Sequence, residues 1–295
     1  MKHGICLSAI YPEVICDCGA LLFRIDQCRR TALYDCLEFY FEGSKQEEIR
    51  IRRKLEECSL SLIFLAGFPM KRDRVDISAR DEKRRQQSVE LTKRYYDRAL
   101  CLGAEKMLIL SGPAWEEKDE ERLIDQTVRS LKELDEYAAG KPCEMTLEYF
   151  PVTREPYLAV GKSALVKKIY EKGSFRQVGI TFDVSHVAQL GEDMPESFRL
   201  LKPWIHHLHL ANSMSKDPSH PMYGDKHPLF SLENGDYSLQ EIKEYFRLLT
   251  QRGDLKDVDA VSMEVISRGM EDWYFTETAK EAACIWQAAE ERRRG

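Results

Sequence analysis

The sequence predicts a closed (β/α)₈ barrel, built as a single domain over residues 1–295. Three observations lead there. Short apolar runs that suit strands alternate with longer amphipathic segments that suit helices, eight times at a spacing of about 35 residues, and such alternation implies a parallel sheet. Eight units of that size close into a barrel. No composition break or linker interrupts them. The competing fold, an open doubly wound sheet, calls for a glycine-rich phosphate turn after an early strand. Here the first strand runs into Ser8-Ala9-Ile10-Tyr11-Pro12 instead.

The elements follow in order. Residues 5–10 form an apolar run stopped by Pro12, and a short helix is expected near 25–32. Leu37 to Phe41 reads as strand two, after which Ser44 is placed to cap the charged helix 45–57. Residues 60–66 give strand three, closed by Gly67 and Pro69, and a helix follows over about 81–102. Strand four spans 106–110 and is followed by a long amphipathic helix over 117–139, which Gly140 ends. Strand five spans 143–150, with a helix at 164–171; strand six spans 178–183, with a helix at 194–201. Strand seven spans 205–211. A long irregular loop to Tyr237 precedes a helix capped by Ser238, strand eight at 258–266, and a last helix from Asp272.

Composition limits the function classes. Net charge is −6 and the pI about 5.8, which argues against a nucleic-acid backbone as main partner. Arg and Lys are dense over 72–94, but Asp and Glu interleave with them, as on a solvated helix face. No apolar run is long enough to span a membrane, and the N-terminus lacks the apolar centre of a signal peptide, so a cytoplasmic location is expected. The cysteine count, 9, is odd and contains no paired C-x-x-C units, which suits reduced thiols.

In such a barrel the active site lies at the C-terminal ends of the strands, and side chains alternate inward and outward with period two. Glu144, Thr146 and Glu148 share one face of strand five; Gly179, Thr181 and Asp183 share one face of strand six. On strand seven Ile205, His207 and His209 share a face, and on strand eight Ala260, Ser262 and Glu264 do. The last inward residues are therefore Glu148, Asp183, His209 and Glu264. All of the seven histidines except His3 fall between His186 and His227. A ring of ion pairs fits the four rim residues poorly, because no Arg or Lys comes from the same positions. Three carboxylates and an imidazole are an oxygen-rich set suited to one divalent metal ion: Mn²⁺, Mg²⁺ or Co²⁺, with Zn²⁺ also compatible. His206 is expected to point outward in a structural role, and His207 to sit one layer below the rim. Glu38, near the end of strand two, is a candidate for orienting substrate or an acid of the core rim. Tyr11, Phe68 and Trp115 fall on loops at the same end and are candidates for an apolar wall.

The motifs L-E-Y-F-P at 147–151, F-D-V-S-H at 182–186, H-L-H-L-A-N at 207–212 and S-M-E-V at 262–265 resemble those of the sugar phosphate isomerase/epimerase family. This group of xylose-isomerase-like TIM barrels includes tagatose 3-epimerase, hydroxypyruvate isomerase and inosose dehydratase relatives, and is distantly similar to endonuclease IV. The resemblance implies a small-molecule sugar substrate, metal ligation by Glu148, Asp183, His209 and Glu264, and proton transfer by Glu148 and Glu264. It also implies contact between His186 and a substrate hydroxyl, and assembly as a homodimer or homotetramer. D-x-H at Asp225 and His227 recurs in the family as substrate contacts or lid, or, in the endonuclease branch, as ligands of further metals; an ordinary loop role is the alternative. That branch also carries histidines after strands three and four, where this chain has Ala66-Gly67-Phe68 and Ser111-Gly112-Pro113. The departure favours a one-metal isomerase or epimerase over a phosphodiester hydrolase; a dehydratase and a non-catalytic sugar-binding barrel remain the other readings.

Overall fold

A computed structural model describes residues 1–115, 119–151 and 158–290. Eight parallel strands close into a barrel in sequence order: β1 (Lys2–Cys6), β2 (Cys36–Phe39), β3 (Ser61–Leu65), β4 (Ala104–Ile109), β5 (Glu144–Glu148), β6 (Val178–Asp183), β7 (Ile205–Leu210) and β8 (Ala260–Met263). The seam pairs β1 with β8, with Gly4 opposite Ser262.

Period two decides which residues meet which layer. Leu37, Phe39, Met145, Leu147, Ile180, Phe182, Leu208, Leu210, Val261 and Met263 face outward into one large hydrophobic cluster shared with the helices. Inside the barrel the apolar content is small. Cys36, Ile63 and Ala260 form a separate cluster, Leu65 and Leu108 line the upper cavity, and five polar residues of the inner face, Glu38, Thr146, Thr181, His207 and Ser262, are fully buried. A polar interior must be hydrogen-bonded throughout to be tolerated.

Capping sets the helix boundaries. Ser44 and Glu47 form a reciprocal capping box ahead of Lys45–Cys58, as do Ser238 and Glu241 ahead of Leu239–Arg252. Asp17, Asp81, Asp119 and Asp193 each accept a backbone N–H at the start of their helices. Three expectations are corrected. The first apolar run does not continue as strand; Leu7–Ile10 is a helical turn that buries Leu7 and Ile10, and an apolar run this short does not separate the two conformations by pattern. The helix expected near 25–32 begins at Cys18, because the Asp17 cap accommodates Gly19 in the first turn. Strand eight stops at Met263, although the Glu264 N–H still donates to Leu210 O at 3.1 Å. The expected start of the helix at residue 117 lies outside the described residues; the helix is described from Glu120. No helix among the described residues is long and apolar enough to cross a membrane.

Candidate metal centre

Strand register assembles the rim. Asp183 pairs with His209 across β6 and β7, and His209 with Ser262 across β7 and β8. Glu148 ends β5, and Glu264 follows β8 directly. One ligand atom from each of Glu148, Asp183, His209 and Glu264 lies within 4.8 Å of all the others. His209 Nδ1 is 2.8 Å from Glu264 Oε2, 3.2 Å from Glu148 Oε1 and 3.9 Å from Asp183 Oδ2. The four rim residues selected by alternation along the strands are thus brought to one point.

The electrostatics of that point call for positive charge. Burial pushes the Glu148 carboxyl up, against the pull of His209. Burial would raise Glu264 too, but His209 and His227 outweigh it and hold that carboxyl at about 2. His209 would be lowered by burial, yet Glu38 and Glu264 push it well above its ordinary value. A single proton at Nδ1 cannot satisfy three carboxylates. Asp183 Oδ1 accepts the Ser185 N–H at 2.6 Å, but Asp183 Oδ2 is buried without a hydrogen-bond partner. An orphaned carboxylate oxygen aimed at two other carboxylates and an imidazole nitrogen is what a divalent cation would satisfy. The donor set fits a divalent metal ion.

The metal-facing group forms the floor of a cavity of about 360 Å³. His186, Asp225 and His227 line one side. The His186 Nδ1–H donates to Tyr149 O at 3.0 Å, which turns Nε2 toward Asp225 Oδ1 at 3.2 Å and Asp183 Oδ2 at 3.8 Å. Burial would lower His186, but Asp183 and Asp225 raise it to about 10. His227 Nε2 lies 3.2 Å from the same Asp225 oxygen, which also accepts from Gln189 Nε2 at 3.2 Å. Asp183, His186 and His227 form a second group of ligand atoms within 4.8 Å.

Not every candidate reaches the cavity. Glu38 is fully buried below the floor, where His207 Nε2 approaches one oxygen at 2.8 Å and His209 Nε2 the other at 3.0 Å. Both oxygens face imidazoles, which fits the alternative reading of Glu38 as an acid of the core rim. His207 lies one layer below the rim, as expected. Tyr11 is buried in the helical layer, donating to Asp272 Oδ1 at 2.9 Å under the Arg24 guanidinium, and is no cavity wall. Trp115 stacks with Arg80 at 4.4 Å, away from the cavity lining. Phe68 does line the cavity. His206 pairs with Glu144 near the opposite end of the barrel, where Lys106 joins the same carboxylate beside a cavity of about 460 Å³.

Alternation alone misses three neighbours. Cys6 ends β1 on the inner face and its thiol donates to Glu264 Oε1 at 3.8 Å; extending that strand to Ile10 hid it. Phe150 packs against His186 with ring centres 4.0 Å apart and planes tilted by 38°, and Lys71 sits 4.7 Å over the Phe150 ring. Phe150 stands in the L-E-Y-F-P motif, but no sequence signal marks Lys71.

Comparison with known proteins agrees with the barrel fold. A family model described as xylose isomerase-like TIM barrel matches residues 26–286. No curated protein matches the sequence. Among solved structures, a D-tagatose 3-epimerase-like protein superposes with a TM-score of 0.74 at 19% identity, covering 99% of both chains. L-ribulose 3-epimerase gives 0.72 at 16% identity, over 99% of this chain and 96% of its own. The IOLI protein, with a bound zinc atom, gives 0.69 at 16% identity, over 99% and 97%.

Proposed function

The chain belongs to the xylose isomerase-like TIM barrel family, and on that premise we propose that it is an isomerase or epimerase of a sugar or sugar derivative, dependent on one divalent metal ion. The observation that carries this reading is the convergence of Glu148, Asp183, His209 and Glu264, with the Asp183 Oδ2 orphan among them. Mn²⁺, Mg²⁺ or Co²⁺ suits three carboxylates and an imidazole, and Zn²⁺ is compatible; the zinc of the IOLI protein supports a metal here. When bound, the ion supplies Lewis-acid stabilisation of negative charge developing on the substrate's carbonyl oxygen.

The chain's own residues divide the remaining work. Glu264 is held ionised by its imidazole neighbours and is the base that removes a proton from the carbon beside the carbonyl. Glu148, whose pKa burial raises, is the acid that delivers a proton. They come from β5 and the end of β8, so a substrate held between them is reached from two sides. Delivery to the opposite face of the same carbon gives epimerisation; delivery to the neighbouring carbon gives isomerisation. In this reading His186, fixed by the Tyr149 carbonyl, and the Asp225–His227 pair hold substrate hydroxyls; their contacts at the cavity wall support it. Phe68 and Phe150 supply apolar wall and limit water. Loss of a hydroxyl after the same proton removal would make the reaction a dehydration.

The test is deuterium uptake from solvent into candidate ketoses and their phosphates by metal-loaded protein. Uptake is expected in wild type and lost in Glu148→Gln and in Glu264→Gln. Exchange retained in both variants overturns the assigned roles. A second reading, a phosphodiester hydrolase with several metals, is favoured by one feature, the additional Asp183–His186–His227 group. Elemental analysis separates the two: about one ion per chain supports the isomerase, and about three would support the hydrolase.

A further inference from the structure

We infer that Glu38 and His207 are positioning residues that lock the His209 ring in the tautomer a metal ion needs, and so set metal affinity from beneath the site. This rests on the metal reading above for the same site. The argument begins with two acceptor oxygens and two imidazoles. Glu38 lies on β2, across the barrel from β7, and is fully buried. Its Oε1 is 2.8 Å from His207 Nε2 and its Oε2 is 3.0 Å from His209 Nε2. An ionised carboxylate accepts hydrogen bonds and donates none. Each Nε2 must therefore carry its proton. For His209 this leaves Nδ1 as the one ring nitrogen that can give up its proton to a metal ion, and Nδ1 is the atom facing Glu264, Glu148 and Asp183 at 2.8, 3.2 and 3.9 Å.

The reverse tautomer illustrates what the lock prevents. With a metal ion held by the rim carboxylates, a His209 carrying its proton on Nδ1 would point that proton at the cation and turn a bare Nε2 lone pair onto Glu38, with no proton between them. Buried lone pairs held at that distance repel in a medium that screens them poorly. His207 completes the device. The two rings are edge to face with centres 4.6 Å apart, and His207 Nδ1 is tied at 3.1 Å to Thr181 Oγ1, which bonds Thr146 Oγ1 at 2.7 Å. The carboxylate is thereby held from both sides, and its second oxygen keeps its aim at His209. The cluster Glu38–His207–His209 is read here as an anchor under a ligand rather than as a further metal site, since both Glu38 oxygens and both Nε2 atoms are already spent on each other. A hydrogen-bonded carboxylate behind a ligating imidazole raises its basicity and fixes its orientation, and loss of such a partner typically weakens metal binding about 10–100-fold.

Two readouts test this, and neither requires turnover. In protein loaded with diamagnetic Mg²⁺ or Zn²⁺, histidine ¹⁵N chemical shifts should show His209 protonated at Nε2 and ligating through Nδ1. Glu38→Gln, which can donate to one ring as well as accept, should populate the Nδ1–H form and weaken Mn²⁺ or Co²⁺ binding, measured by calorimetry, by 10–100-fold. His207→Gln offers an amide donor to Glu38 in place of Nε2–H and should recover most of the affinity, whereas His207→Leu should not. Circular dichroism checks that each variant folds. Wild-type Nδ1–H tautomer, or Mn²⁺ affinity in folded Glu38→Gln within about threefold of wild type, overturns the inference. Absence of Mn²⁺ or Co²⁺ binding by wild type would instead overturn the metal reading, so the two failures are distinct.

Discussion

Asp183→Asn separates a metal ligand from a structural residue. Asp183 Oδ1 caps the turn that begins at Val184 by accepting the Ser185 N–H, and an Asn side chain does the same at nearly equal strength. Oδ2 alone is changed in charge, and Oδ2 is the atom without a partner. In metal-free protein the carboxylate's repulsion by Glu148 and Glu264 is offset by attraction to His186 and His209, at 3.8 and 3.9 Å. The melting temperature of the metal-free variant is therefore expected within about 2 °C of wild type. With metal the two proteins diverge. An ion at a hundred times its dissociation constant adds about 2.7 kcal/mol to folded-state stability. At about 2.1 cal/mol/K per residue, a chain of 295 residues unfolds with an entropy near 0.6 kcal/mol/K, so the wild-type shift is about 4 °C. If the substitution weakens binding about a hundredfold, the same metal concentration adds only about 0.4 kcal/mol, and the shift drops below about 1 °C. Thermal melts with Mn²⁺ and with chelator decide the matter. An undiminished metal-induced shift in Asp183→Asn would refute the assignment of Asp183 as a ligand.

pH should act through the same cluster. His186 is raised to about 10 by Asp183 and Asp225 against its burial, above its ordinary value near 6.5. The stability it contributes is complete below about pH 6.5 and is lost as pH rises toward 10. Melting of chelated protein should therefore fall over this range, while the gap between metal-loaded and chelated protein widens as protons cease to compete; a gap that narrows would contradict this. Gly4→Ala would drive a methyl group into Ser262 Oγ and to 2.6 Å from Cys36 Sγ inside the barrel. It should cost about 1–3 kcal/mol by denaturant titration and leave metal stoichiometry unchanged. Ser238→Ala removes one half of the capping box ahead of Leu239–Arg252 and should cost about 1 kcal/mol in the same assay.

Much of the fold was legible because its signals are local and repeated. Strand six and the helix at 194–201 begin and end where the sequence places them: Asp183 closes the strand, and Asp193 and Pro203 bracket the helix. The rim was legible because alternation has a period of two, and one inward residue per strand can be chosen without knowing the neighbours. What lay out of reach depends on which strands face each other across the barrel. Nothing local to Leu37-Glu38-Phe39 says that Glu38 meets two histidines 169 and 171 positions away. Tyr11 looked like a loop aromatic, but its partners Asp272 and Phe275 come from the last helix. The loop after strand seven was harder still. It holds His227 at a φ of 37° and fixes it through the Ile266 N–H donating to its carbonyl at 3.1 Å, neither of which has a sequence pattern.

The most direct test is an anomalous difference map from crystals soaked in Mn²⁺. A single strong peak coordinated by Glu148, Asp183, Glu264 and Nδ1 of His209 is the result predicted. A map without density between those four side chains, in crystals where Mn²⁺ is present, would contradict the claim that they form a metal site.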